Sequence, residues 1–152
     1  MLNRTTLPVA GRIWRELGKR KVNADVVRVI LDTGMNALLR PALYEAHHEI
    51  WPVRDNVVSM TADVVGPNCE TSDVVGRARQ LPNLASGDQV AILDAGAYGY
   101  AQASNYNSRP RPAEVAVLGD QWWVVRPAET WEGLLVGQVV PQTIMAGAPQ
   151  PG

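Results

Sequence analysis

From Asp25 onward the chain is cut into short β-branched runs by Gly, Pro, Asn and Asp, and this punctuation constrains the fold more than any other feature. "VVRVILD" (26–32) reads as a buried strand, and "NVVSMTADVVG" (56–66) as a longer, partly alternating one. In "LASGDQVAILDAG" a Gly-Asp turn feeds a strand over 89–94. "AEVAVLGDQWWVV" is the clearest hairpin, two apolar runs joined at Gly119-Asp120. Helical signals are fewer. "ALLRPALYEAHHEI" predicts a short helix over 40–48 with Pro41 in its first turn. "ETWEGLLVG" predicts a closing helix capped by Thr130. Short strands at fairly even spacing predict an all-β barrel or sandwich with one or two small helices. The parallel βαβ alternation of nucleotide-binding folds is absent, as are a G-x-x-x-x-G-K loop and a strand-linked G-x-G-x-x-G.

With 152 residues, 46% apolar and 19% charged, the chain is long and apolar enough for one domain with a real core. A formal net charge of −1 excludes a general nucleic-acid binder, whose footprint is basic. No apolar run approaches a membrane span. A single cysteine rules out an internal disulfide and favours the cytoplasm. Charge is unevenly placed: seven of the fourteen Lys and Arg residues lie within positions 1–28. The start has no secretory h-region; it reads as an amphipathic helix with Ile13, Trp14 and Leu17 on one side, rather than a transit peptide. The expected organisation is thus a basic arm over 1–25, a β domain over 26–140 and a Pro/Gly-rich flexible tail over 141–152. Lys19 and Lys21 are the only lysines.

Several residues carry potential chemistry. In "GPNCETSD" (66–73), Gly66-Pro67 ends a strand and puts Cys69 and Glu70 on an exposed loop. There Glu70 can accept a hydrogen bond from an ammonium group, and Cys69 can act as nucleophile or proton donor; the competing reading is a small buried cysteine. Arg40 sits among apolar residues with Tyr44 four positions on, so one helical turn turns both the same way. The pair can clamp a carboxylate, or the arginine can simply snorkel to solvent. His47-His48 lacks the i, i+4 spacing of a metal pair and reads as structural, so no metal site is expected. Around Tyr98, the small residues Ala95, Gly96, Ala97, Gly99, Ala101 and Ala103 permit close approach of a ligand or another chain. Arg109-Pro110-Arg111-Pro112 then holds two arginines in extended geometry, which suggests a docking surface or, as the simpler reading of both arginines, loop structure.

These pieces, in this order, resemble one family. "ILDTGMNALLRPALYEAHHEI", "VVGPNCETSD", "RQLPNLASGDQVAILDAGAYG" and "SNYNSRPRPAEV" are similar to the C-terminal part of the diaminopimelate decarboxylase family, fold-type III enzymes dependent on pyridoxal 5'-phosphate. The resemblance covers roughly 26–140; the first 25 residues match no part of it. It implies a Greek-key-like β-barrel or sandwich and the conversion of meso-diaminopimelate to L-lysine and CO2. By resemblance, Arg40 and Tyr44 hold a substrate carboxylate, and Tyr98 meets the cofactor phosphate beside the substrate. Cys69, catalytic, and Glu70 match a Cys-Glu pair that a dimer partner inserts into its neighbour's site, where the glutamate meets the distal ammonium of a diamino dicarboxylate. The family's barrel elements do not appear here: neither the Schiff-base lysine nor the glycine-rich phosphate site, the stacking histidine nor the acidic-Gly-Arg segment. The expectation is a C-terminal fragment or split subunit, inactive alone and working as a homodimer or with a barrel-bearing chain. The alternative is a non-catalytic oligomerisation or ligand-binding module derived from the same domain.

Overall fold

The computed structural model describes residues 9–14, 27–54, 57–96 and 98–139. The β-branched runs become strands where the pattern placed them. β2 (Val27–Leu31) buries Val29 and Leu31, and β4 (Val58–Val65) buries Ala62 and Val64 on alternate positions. The two lie side by side in parallel, Val29 opposite Val64. β5 (Val74–Pro82) returns antiparallel to β4 with several register shifts. On the other side, β6 (Gln89–Ile92) buries Val90 and Ile92 and pairs antiparallel with β3 (Ile50–Pro52).

What joins the halves is β1 (Val9–Trp14). Its first four residues pair with β6 and its last two with β2, giving the six-strand order β3-β6-β1-β2-β4-β5. The helix expected for the N-terminal arm therefore does not extend over 9–14, where unpaired edges of β6 and β2 capture the chain as a strand. The remainder of the arm and the tail from 140 lie outside the described residues. No ladder joins β3 to β5 among the described residues. The sheet is open, and the architecture is an all-β sandwich rather than a closed barrel.

The core is made where the strand faces meet: Leu31, Leu38, Val64, Leu81, Val90 and Ile92 are almost fully buried. Each such side chain contributes about 1.5–3 kcal/mol relative to exposure.

The second sheet is the expected hairpin, β7 (Glu114–Leu118) and β8 (Gln121–Arg126), with Leu118 opposite Gln121 across the Gly119-Asp120 turn. Every residue of β8 is exposed, Trp122 to 66%. A lone two-stranded ribbon is marginal in water. Here Arg126 fastens it, pairing with Glu114 at 2.7 Å while its guanidinium carbon lies 4.2 Å from the centre of the Tyr100 ring.

The helices are shorter than expected. α1 (Arg40–Tyr44) has its proline in the first turn but stops at Glu45, whose φ of 54° is left-handed, so His47 and His48 lie beyond it. α2 (Gly99–Gln102) follows Tyr98. Near the end a single 3-10 turn (Gly133–Leu135) forms, and the Thr130 hydroxyl accepts the Gly133 N–H at 3.0 Å. Among the described residues no helix is long and apolar enough to cross a membrane.

Candidate active-site residues

Two segments distant in sequence present the first group. The strand β6 runs into 93–104, which packs along 36–49: Leu93 N–H donates to Glu49 at 2.8 Å and Ser104 N–H to Asn36 at 2.8 Å. His48 is buried at this seam. Its Nδ1 lies 2.9 Å from the Leu93 carbonyl, an acceptor only, so Nδ1 carries the proton. The seam brings α1 beside the Tyr98 turn. The Arg40 guanidinium carbon lies 5.7 Å from the Tyr44 ring centre and 5.3 Å from that of Tyr98. Both rings are more than half exposed, Tyr98 to 57%. Arg40 therefore does not simply snorkel to solvent; its guanidinium lies against two phenol rings. A cation flanked by two hydroxyl donors suits an anionic group such as a carboxylate or phosphate ester. The small residues serve the turn itself, since Ala95 and Gly99 are buried beneath the exposed Tyr98.

Asp73 builds the second group. Its carboxylate is 2% exposed and accepts the Met35 N–H at 2.6 Å and the Asn68 N–H at 2.8 Å. Gly34 and Gly66 close over it, and a Cβ on either would collide with the carboxylate oxygens. The Asn68 side chain then bonds Asn36 at 3.1 Å. One buried anion thus ties the loop entering α1 to the loop carrying Cys69 and Glu70. Cys69 is exposed with a free thiol.

Glu70 is held from two sides. One carboxylate oxygen accepts the Ser72 N–H and the Thr71 hydroxyl, both at 3.3 Å, and the other accepts the Tyr106 hydroxyl at 3.1 Å. The Ser72 amide foremost, and then Tyr106, lower its pKa below the ordinary carboxylate value, and in return Glu70 raises that of Tyr106.

The basic proline loop is a brace. Arg109 donates to the Pro67 carbonyl at 3.3 Å. Arg111 donates to one oxygen of Glu129 through both Nε at 2.8 Å and Nη2 at 2.5 Å, and its backbone N–H donates to the other at 2.8 Å. The Arg111 side chain first, then its backbone N–H and Asn105, pull the Glu129 pKa down to about 2. Both arginines are therefore used within the chain, which favours the loop-structure reading over the docking one.

The structure thus groups Arg40 with Tyr44 and Tyr98, and Glu70 with Tyr106, while Cys69 stands beside Glu70. His47 lies against Arg79 and Glu49, and the described residues contain no set of three potential metal ligands. Asp73, Asn68 and Tyr106 escaped the sequence reading; an aspartate just ahead of the apolar "VVG" was the only available signal for the first.

Residues 13–96 match the family model of the pyridoxal-dependent decarboxylase C-terminal sheet domain. The diaminopimelate decarboxylase of Haemophilus influenzae is 51% identical over 127 residues, 82% of this chain and 30% of the relative. That of Archaeoglobus fulgidus is 43% identical over 119 residues, 77% of this chain and 28% of the relative. Among solved structures, the diaminopimelate decarboxylase of M. jannaschii in complex with L-lysine superposes with a TM-score of 0.80 at 35% identity, over 90% of this chain and 30% of that one. The chain belongs to the pyridoxal-dependent decarboxylases and represents their C-terminal sheet domain. It spans less than a third of the length of these relatives.

Among the described residues, Arg40, Tyr44 and Tyr98 fit the anionic edge of a pyridoxal phosphate or its substrate, being a cation and two phenols on one exposed face. No described residue is a lysine, so a covalent attachment to the cofactor's aldehyde is not offered from these segments.

Proposed function

We propose that this chain supplies the substrate- and partner-facing side of a diaminopimelate decarboxylase site and works together with a pyridoxal-binding barrel. The observation that carries this reading is the meeting of Arg40, Tyr44 and Tyr98, drawn together from two segments onto one exposed face. In it, Arg40 and Tyr44 orient a carboxylate of the diamino dicarboxylate, and the Tyr98 hydroxyl donates to the cofactor phosphate. Pyridoxal phosphate, when bound, supplies the electron sink that lets the carboxylate leave as CO2 with its electron pair retained at Cα. A proton then takes the carboxylate's place, giving L-lysine, and Cys69 is the group on this chain suited to deliver it. Glu70 accepts from the distal ammonium and selects diamino substrates.

Cys69 and Glu70 act across an interface, in the site of a second copy or a barrel-bearing partner. The exposure of Trp122, Trp123 and Trp131, each a large apolar ring with a polar N–H, supports a covering partner. A working free thiol at Cys69 favours the reducing cytoplasm.

The test is complementation in solution. The chain alone, with pyridoxal phosphate and meso-diaminopimelate, gives no CO2; adding a barrel domain from a relative gives turnover. Turnover by the chain alone that disappears in the Lys19→Ala/Lys21→Ala double variant would overturn the division of labour.

A further inference from the structure

Glu70 lies on a loop, yet three donors hold it. The Ser72 N–H and Thr71 hydroxyl occupy one oxygen, and the Tyr106 hydroxyl reaches the other from a loop 36 positions away in sequence. An ionised carboxylate has about four acceptor sites. Two are taken on the first oxygen and one on the second, which leaves capacity for one further N–H donor beside the Tyr106 bond.

Tyr106 is itself fixed. The residues after it, Asn107 and Ser108, have φ of 57° and 54°, left-handed values that non-glycine residues adopt at a cost. Cross-bracing holds this turn: Asn105 donates to the Arg109 carbonyl at 3.0 Å, and Arg109 reaches back to Pro67 at 3.3 Å, in the loop that carries Glu70. The strained turn and the Cys69-Glu70 loop thus form one unit, with the Tyr106–Glu70 bond at its exposed edge.

We infer that Tyr106 is a positioning and specificity-determining residue, which aims Glu70 at the second ammonium group of a diamino substrate. This rests on the reading of Glu70 as the ammonium's partner. A free glutamate on a loop spreads over many rotamers, and ordering it on binding weakens affinity. Tyr106 imposes that order beforehand and favours the ionised carboxylate. Two further titratable groups belong to the same loop: Cys69, the neighbour of Glu70 in sequence, and Asp73, whose N–H donates to the Glu70 carbonyl at 3.2 Å.

Two measurements test this with Tyr106→Phe, which keeps the ring and removes only the hydroxyl. In the 152-residue chain, a carbon-13 NMR titration of the Glu70 carboxyl follows the contact directly. The midpoint is expected to rise in the variant, only part of the way to the ordinary value because the Ser72 N–H remains. In the chain combined with a barrel domain, binding of L-lysine is compared with that of L-norleucine, which lacks the distal ammonium. The preference for lysine is expected to fall by about fivefold, the size of one net hydrogen bond, with norleucine binding unchanged. An unchanged Glu70 titration, or an equal loss for both ligands, overturns the inference. Glu70→Gln separates the two levels. If it abolishes the preference while Tyr106→Phe does not, the positioning role alone fails; if Glu70→Gln leaves the preference intact, the reading of Glu70 fails and this inference falls with it.

Discussion

Asp73 and Asn68 are joined by a buried 2.8 Å hydrogen bond from the Asn68 N–H to the Asp73 carboxylate, and this bond places the loop that carries Cys69 and Glu70. The other Asp73 oxygen takes the Met35 N–H, so the same anion fixes the approach to Arg40. Asp73→Asn keeps the shape but turns an amide NH2 toward one of the two N–H donors. It should destabilise the chain by roughly 1–3 kcal/mol, the cost of an unsatisfied buried donor. Urea denaturation checks it, and a loss well below 1 kcal/mol contradicts the role given to this carboxylate.

Gly66→Ala tests the same junction from the outside. The added methyl has no room beside the Asp73 carboxylate, and overpacking of this kind costs about 1–3 kcal/mol. Gly99→Ala is the control, because a methyl there meets no atom within 4 Å. Thermal melts should separate the two variants, with Gly66→Ala much the lower.

Much of the sheet was legible because β-branched runs bounded by turn residues announce themselves at short range: β2, β4, β6 and the β7–β8 hairpin all follow the written pattern. β1 was not legible. "VAGRIW" has no alternation that marks a strand, and pairing with two distant edges decides its conformation. α1 stops early because Glu45 takes a left-handed conformation that no local residue type demanded. Within the site, the i, i+4 spacing of Arg40 and Tyr44 was readable, whereas their meeting with Tyr98 depends on the seam between 36–49 and 93–104. Tyr106 reaches Glu70 across 36 positions and Asp73 reaches Met35 across 38, separations that spacing does not reveal.

Stability in acid should report the Arg111–Glu129 brace. The Glu129 pKa is about 2 in the folded chain, below its ordinary value, so the folded state favours the ionised form. The contribution is therefore complete above about pH 4.5, the usual carboxylate range, and is lost as pH falls toward 2. Melting temperature should fall through this window, and Glu129→Gln should be less stable at neutral pH with a flatter acid limb. An acid limb as steep in Glu129→Gln as in the parent contradicts the brace.

Trp122 and Trp123, both exposed on the β7–β8 ribbon, should drive self-association. Sedimentation at tens of micromolar (about the range in which interfaces of standard size hold) should show dimers or larger species. Trp122→Glu should shift them toward monomer. A clean monomer of the parent chain at that concentration argues against a face built for a partner.

The most direct measurement of the central claim is a pair of titrations on the chain combined with a barrel domain, one of meso-diaminopimelate and one of pyridoxal phosphate. Glu70→Gln should weaken the substrate by roughly 1–3 kcal/mol and leave the cofactor alone, since a charge-assisted bond becomes a neutral one. Tyr98→Phe should do the reverse, loosening the cofactor by about 1 kcal/mol. If both substitutions alter only the stability of the complex, with substrate and cofactor affinities unchanged, these residues are structural and the proposed site is wrong.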